Sequence, residues 1–218
     1  MGDVMNRRTV LRHCSAWLAA LAAGRAGAKA PRRVVVLGDS LSAEYGLTRG
    51  SGWVALLSKR LSEQRLDVEV VNASISGDTS SGGLARLPAL LREQRPAVLV
   101  IELGANDMLR GLPVADTRAN LLAMMRAART AGAKVLLVGM QVPPNFGRSY
   151  VASFTAMYAE LARSEHAGLV PFLLKGVADR PDSEDWFQAD RIHPLAKAHP
   201  ILLDNVWPEL KRLLQPLP

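Results

Sequence analysis

The sequence predicts a parallel β-sheet sandwiched between two layers of helices. Three observations carry this prediction. Four short, continuous apolar runs read as strands covered on both faces. Segments with helical apolar spacing lie between them. The strand–helix alternation then continues along the chain, which is the pattern of a parallel sheet with crossover helices.

The strand candidates are Val34 to Leu37, Val68 to Val71, Val98 to Leu103 and Val135 to Val138. Each is rich in β-branched residues or Leu and bounded by turn residues. A fifth candidate, Leu169 to Leu173, contains Pro171 and is therefore expected at a sheet edge. The first helix is expected over Trp53 to Gln64, with Ser51 or Gly52 as its cap. A second starts near Gly82, with a break or kink at Pro88. A third runs from about Ala115, capped by Asp116, to Gly132 as a C′ glycine. A fourth covers Ser149 to Glu165. The last spans about Leu195 to Leu214, interrupted by Pro200 and Pro208.

Ahead of these elements, residues 1–28 read as an export signal. Arg7, Arg8 and Arg12 form a basic start, Cys14 to Gly24 is apolar, and Ala26-Gly27-Ala28 supplies the small residues of a cleavage site after Ala28. The apolar stretch is too short for a permanent membrane span. "NRRTVLR" (Asn6 to Arg12) resembles a twin-arginine motif, with a general secretory signal as the competing reading and an uncleaved anchor as a minor one. The expectation is a periplasmic or secreted protein whose residues 29–218 form one domain and which keeps no stable membrane anchor.

Composition narrows the function. The 218 residues hold 27 Lys plus Arg against 20 Asp plus Glu, a net charge of +7. Cleavage would remove four arginines and one aspartate, leaving 23 basic and 19 acidic residues, or +4. No dense basic stripe with interleaved aromatics remains, so nucleic acid is not an expected partner. Cys14 is the only cysteine and departs with the signal. The mature chain then has no disulfide, thiolate metal site or cysteine nucleophile.

Chemistry-bearing residues gather at the strand ends. Ser40 follows the first strand in "GDSLS", Gly77 follows the second in "NASISGDTSSGG", and Asn106 follows the third in "ELGANDMLRG". Asp190 and His193 lie in "DRIHP", ahead of the last helix. In open α/β sheets, reactive groups collect beyond the C-terminal ends of the strands. A serine hydroxyl needs a base to become a nucleophile, and a neutral imidazole is such a base. A carboxylate three residues earlier can fix the imidazole tautomer. The backbone N–H groups of Ser40 and Gly77 and the amide of Asn106 are candidate donors to an oxyanion. Each piece alone also reads as an ordinary turn or loop; the specificity lies in their joint occurrence. Of the other histidines, His166 ends a polar helix, and His199 precedes Pro200 with no carboxylate on its loop.

These blocks, Gly-Asp-Ser-Leu-Ser, Gly77, Gly-x-Asn-Asp and Asp-x-x-His-Pro, resemble the four blocks of the SGNH (GDSL-type) hydrolases. The stretches "VVNASISGDTSSGGLARLPALL", "ELGANDMLRGL" and "LLQPL" are similar to the bacterial periplasmic multifunctional thioesterase, lysophospholipase and arylesterase group. The resemblance implies a flavodoxin-like three-layer α/β/α sandwich with five parallel strands. It implies Ser40 as nucleophile, His193 as base, Asp190 as its partner, and Ser40, Gly77 and Asn106 as the oxyanion hole. It implies no metal or organic cofactor, a monomer, and a small acyl ester as substrate. Leu109, Leu112, Pro143 and Phe146 are candidates for the acyl-binding wall. The loop Met140 to Tyr150 is shorter than in that group and the stretch before Asp190 longer, so acyl-length preference does not transfer.

Two other readings use the same sheet. A carbohydrate O-deacetylase would share the machinery, and a non-catalytic flavodoxin-like ligand binder would not need it. The chain has neither a Gly-x-x-x-x-Gly-Lys-Ser/Thr nor a Gly-x-Gly-x-x-Gly loop, which argues against nucleotide binding. It also lacks Gly-x-Ser-x-Gly, so the α/β-hydrolase elbow is not its template.

Overall fold

Five parallel strands lie in the order β2-β1-β3-β4-β5 in the computed structural model of the protein, which describes residues 32–215. They are β1 (Arg32–Gly38), β2 (Val68–Asn72), β3 (Val98–Glu102), β4 (Lys134–Val138) and β5 (Gly168–Val170). All neighbours pair in parallel, with Val34 opposite both Val70 and Val98. The expected export segment, residues 1–28, lies outside the described residues.

The apolar runs became strands because every residue of β3, and Val34 to Leu37 of β1, is enclosed from both faces. The fifth strand is at the edge as expected, but it is shorter than Leu169 to Leu173: β5 ends at Val170, and Pro171, which has no N–H to donate, stands just outside it.

Six helices flank the sheet among the described residues: α1 (Trp53–Glu63), α2 (Ser80–Gln94), α3 (Ala105–Leu109), α4 (Val114–Thr130), α5 (Arg148–Ser164) and α6 (His199–Leu214). Helices α1 and α6 pack together on one face; α2, α4 and α5 form the other layer. Their buried stripes follow helical spacing, as with Trp53, Val54, Leu57 and Leu61 on α1. Each such side chain contributes about 1.5–3 kcal/mol when fully buried.

Three local expectations are corrected. Helix α2 runs unbroken through Pro88, and α6 runs through Pro208 with Pro200 in its first turn. Both Pro88 and Pro208 are exposed, so water can satisfy the carbonyls they leave unpaired. Asp116 is not the cap of α4, which begins after Pro113, but lies in its first turn, where a carboxylate still suits the helix dipole. Helix α3 was not expected; Gly104, with φ of +118°, turns the chain directly from β3 into it. No helix among the described residues is long and apolar enough to cross a membrane.

Candidate active site

The strand order reverses direction between β1 and β3, which opens a crevice beyond their C-terminal ends. Ser40 stands at the end of β1 and Asn106 in the first turn of α3, one on each side of that crevice. The chain from Asp190 to His193 reaches the same crevice from far along the sequence. His193 Nε2 lies 2.8 Å from Ser40 Oγ, and His193 Nδ1 lies 2.6 Å from Asp190 Oδ2.

Local turn chemistry sets this reach. Asp190 Oδ1 accepts from the backbone N–H groups of Ile192 (2.9 Å) and His193 (3.0 Å). This is an Asx-type turn, and Arg191 inside it takes a left-handed φ of +59°. One carboxylate therefore shapes the loop with one oxygen and holds the imidazole with the other. Burial acts to raise the Asp190 pKa. The hydrogen bonds from His193 N–H, the His193 ring and Ile192 N–H outweigh it and lower the value to about 2. Asp190 is thus a stable anion facing Nδ1, which places the Nδ1 proton toward Asp190 and leaves the Nε2 lone pair toward Ser40. The Tyr45 ring packs on the imidazole with centroids 4.3 Å apart.

The donors are arranged around the hydroxyl. The backbone N–H groups of Ser40 and Gly77 make no hydrogen bond among the described residues, and both residues line the cavity. Gly77 has φ of +79°, which glycine adopts without strain. The amide of Asn106 is engaged: Nδ2 donates to Asp39 Oδ2 at 3.0 Å and to Asp78 O at 2.9 Å. The next residue, Asp107, faces away from the crevice. It accepts from Ser80 N–H at 2.8 Å and so caps α2 from outside the helix.

A cavity of about 500 Å³ opens beside Ser40 and His193. Its apolar wall includes Leu109, Met140, Pro143, Phe172 and Leu174. Leu109 and Pro143 thus lie where the sequence led one to look. Leu112 and Phe146 do not line the cavity. Phe146 is turned toward Tyr150, 6.0 Å between ring centroids, and Leu112 lies on the outer loop, where its carbonyl accepts from Tyr150 Oη. His199 is buried away from the site, its Nδ1 accepting from Trp53 N–H at 3.0 Å.

Several supporting residues escaped the sequence reading. Arg86 donates from Nε to Asp78 (2.8 Å), from Nη1 to Ala73 O and from Nη2 to Gly38 O (3.4 Å), tying the loops after β1 and β2. Gln188 donates to Tyr45 O (2.9 Å) and Pro194 O (3.3 Å), clamping the His193 loop to the Ser40 loop. Asp39 and Glu102 are fully buried beneath the serine. Burial is the main cause that lifts the Asp39 pKa to about 6; it also lifts Glu102 well above its ordinary value, with Asp39 adding repulsion. No periodicity or motif marks Arg86 or Gln188; only the "ELG" beside "AND" hinted at Glu102.

The sheet, its switch point and the groups gathered there define a hydrolase of the three-layer α/β/α class. Residues 36–201 match the GDSL-like Lipase/Acylhydrolase family. The chain is 55% identical over 185 residues to Esterase TesA of Pseudomonas aeruginosa, covering 85% of this chain and 90% of that one. It is 41% identical over 190 residues to Thioesterase 1/protease 1/lysophospholipase L1 of Escherichia coli, covering 87% and 86% of the two chains. A crystal structure of the psychrotrophic esterase EstA from Pseudoalteromonas sp., inhibited by monoethylphosphonate, is similar with a TM-score of 0.78 and 39% identity, covering 84% of this chain and 98% of that one. The chain belongs to the GDSL/SGNH hydrolase family.

Proposed function

We propose that this enzyme cleaves acyl esters, including thioesters and lysophospholipids, through a Ser40–His193–Asp190 triad and an acyl-enzyme intermediate. The observation that carries the reading is the continuous contact from Asp190 Oδ2 through the imidazole to Ser40 Oγ, at 2.6 and 2.8 Å, on the wall of an apolar cavity.

In the first half-reaction Ser40 Oγ gives its proton to His193 Nε2 and attacks the acyl carbonyl. The resulting oxyanion takes hydrogen bonds from the Ser40 and Gly77 N–H groups, and from Asn106 once its amide releases one of its two acceptors. Each such donor is worth about 2.7–4 kcal/mol to the transition state. The imidazolium, stabilised by the Asp190 anion, then protonates the leaving alcohol or thiol. Water repeats the sequence: His193 takes its proton, hydroxide adds to the acyl carbon, and the proton returns to Ser40 Oγ. No step in this scheme draws on a metal or an organic cofactor.

The apolar wall favours an acyl chain over the sugar ring of a carbohydrate deacetylase. The names of the relatives, esterase, thioesterase and lysophospholipase, support the same substrate class. The basic, apolar and small-residue pattern of residues 1–28 supports export to the periplasm, with residues 29–218 as the working domain.

Labelling with a fluorophosphonate followed by peptide mapping tests the reading. The label is expected on Ser40, to vanish in Ser40→Ala, and to fall with p-nitrophenyl ester turnover in the same preparations. A Ser40→Ala protein that still hydrolyses these esters at a comparable rate would remove Ser40 from the mechanism. Activity restricted to acetyl groups across a series of acyl lengths would favour the deacetylase.

A further inference from the structure

His199 is a buried histidine that the triad does not use. It is 2% exposed and begins α6, in the chain segment that follows His193. Its Nδ1 accepts from the backbone N–H of Trp53, the first residue of α1, at 3.0 Å. That N–H is one of the donors a helix leaves unpaired at its start. Gly52, the residue ahead of Trp53, has no side chain to offer it. An imidazole from far along the chain therefore caps α1. Acceptance at Nδ1 requires the neutral ring with its proton on Nε2. Burial favours this form: it holds the pKa below 6.5, outweighing the Pro194 backbone and the Glu44 charge, which act to raise it. Nε2 lies buried with no hydrogen-bond partner of normal geometry among the described residues.

Trp53 also reaches the other half of the triad. Its indole Nε1 donates to Ser42 Oγ at 3.1 Å, and Ser42 Oγ donates in turn to Glu102 Oε2 at 2.7 Å. Ser42 lies two residues after Ser40, in a turn closed by the Ser42 and Ala43 N–H groups donating to Asp39 O. From His199 the chain leads back to His193 through short, fixed links. Ala198 N–H donates to Leu195 O (2.9 Å), Leu195 N–H to Trp186 O (2.8 Å) and Gln188 N–H to His193 O (2.8 Å), while Phe187 bridges Pro194. Trp53, Ser42, Glu102 and His199 are all buried. One residue thus holds the turn of the nucleophile by its indole and the segment of the base by its backbone. A side chain kept only for its volume has no use for an acceptor at that point, because an aliphatic one fills a buried space without the cost of desolvating a polar ring.

We propose that His199 is a positioning residue for the general base: by capping α1 at Trp53 it fixes the His193 segment against the Ser40 turn, and so sets the approach of imidazole to hydroxyl. The role rests on the reading of Ser40 and His193 as nucleophile and base. His199 itself does not line the cavity and acts only through its neighbours.

Two substitutions separate the acceptor from the volume. His199→Leu keeps the bulk and removes the acceptor; His199→Asn places Oδ1 where Nδ1 stood and restores it. Turnover of a p-nitrophenyl ester is counted per molecule labelled to completion with a fluorophosphonate. His199→Leu is expected to lower kcat about tenfold with KM held within about twofold, because a small misplacement of reacting groups costs rate before it costs binding. The rate of Ser40 phosphonylation should fall by the same factor. His199→Asn should return kcat to within about threefold of the parent, a rescue that a purely space-filling role does not give. Nitrogen-15 shifts of the His199 ring should show Nδ1 without a proton at neutral pH. Parental kcat in His199→Leu, equal losses in the two variants, a change in KM alone, or a proton on Nδ1 each overturns the proposal. Should His199→Leu not fold, His199→Met, flexible enough to fill the same space, carries the same expectation. His193→Ala is measured beside them. If it retains turnover, the triad reading falls and the positioning role falls with it. If it is inactive while His199→Leu turns over at the parental rate, the positioning role alone falls.

Discussion

Asn106 and Asp39 are joined by a hydrogen bond of 3.0 Å, from the amide Nδ2 to the carboxylate Oδ2. The bond links the residue immediately before the serine on the β1 loop to the first turn of α3 after β3. The same Nδ2 reaches Asp78 O on the β2 loop, so one amide holds three strand ends together. Asp39 Oδ1 meanwhile accepts from Leu41 N–H at 3.0 Å, which fixes the turn on which Ser40 rides. Asn106 is therefore both a candidate oxyanion donor and a tie between loops.

Substitution separates these roles. Asn106→Ala is expected to lower kcat about 10²–10³-fold if the amide reaches the oxyanion. Loss of the tie alone would cost about 1–3 kcal/mol of stability through the unpaired Asp39 oxygen, with little change in kcat. Steady-state kinetics beside urea unfolding distinguishes them, and a rise in KM with kcat intact would contradict the oxyanion role.

Asp190→Asn tests the positioning of the imidazole. An amide in place of Oδ2 would present N–H to Nδ1 and favour the wrong tautomer, lowering kcat by about 10⁴. The pH dependence has a definite sign. The folded carboxyl, at about 2, lies below its ordinary value of 3.8, so its contribution to stability is present above 3.8 and is lost as pH falls toward 2. Acid unfolding of Asp190→Asn should therefore lack that part of the decline. Identical acid limbs in the two proteins would mean that the Asp190 interactions do not stabilise the fold.

Much of this architecture is legible in the residues. The runs at Val34 and Val98 read as strands buried on both faces, and the blocks around Ser40, Gly77, Asn106 and His193 sit at the predicted rim. What was not legible depends on contacts between distant segments. Arg86 looks like any helical arginine until the ends of two strands, β1 and β2, converge on it. Phe146 and Leu112 read as acyl-wall candidates because sequence shows their polarity and position but not which way the loop turns. Pro88 and Pro208 read as breaks because sequence does not show that each would face solvent.

Gly38 ends β1 with no room for a side chain. A Cβ there would lie 2.8 Å from Glu102 Oε2 and 2.9 Å from both Ser42 Cβ and Ser42 Oγ. Gly38→Ala should destabilise the protein by about 1–3 kcal/mol through forced displacement of these buried groups. Because Ser40 follows two residues later, activity per folded molecule should fall as well. Thermal unfolding with active-site titration measures both, and an unchanged Tm would show that the strand end is more yielding than its packing implies.

Glu102 carries the last prediction. It is fully buried, its Oε2 accepting from Ser42 Oγ at 2.7 Å and from Asp39 N–H at 3.4 Å, while Oε1 has no partner among the described residues. Burial first, and then the nearby Asp39 charge, raise its pKa well above 4.5, so the neutral acid persists to higher pH in the folded protein than in the unfolded chain. Between the unfolded and folded pKa values the folded protein holds the extra proton, and stability falls as pH rises. Asp39 adds the same sign of change between 3.8 and about 6. Glutamine reproduces the shape of the neutral acid but cannot ionise. Glu102→Gln should therefore match the parent in acid and become relatively more stable as pH rises, while the Asp39 decline up to about 6 remains. Tm measured across a pH series reads this out directly: two curves that stay parallel into the alkaline range would mean that Glu102 ionises without cost, and that its burial does not govern its charge.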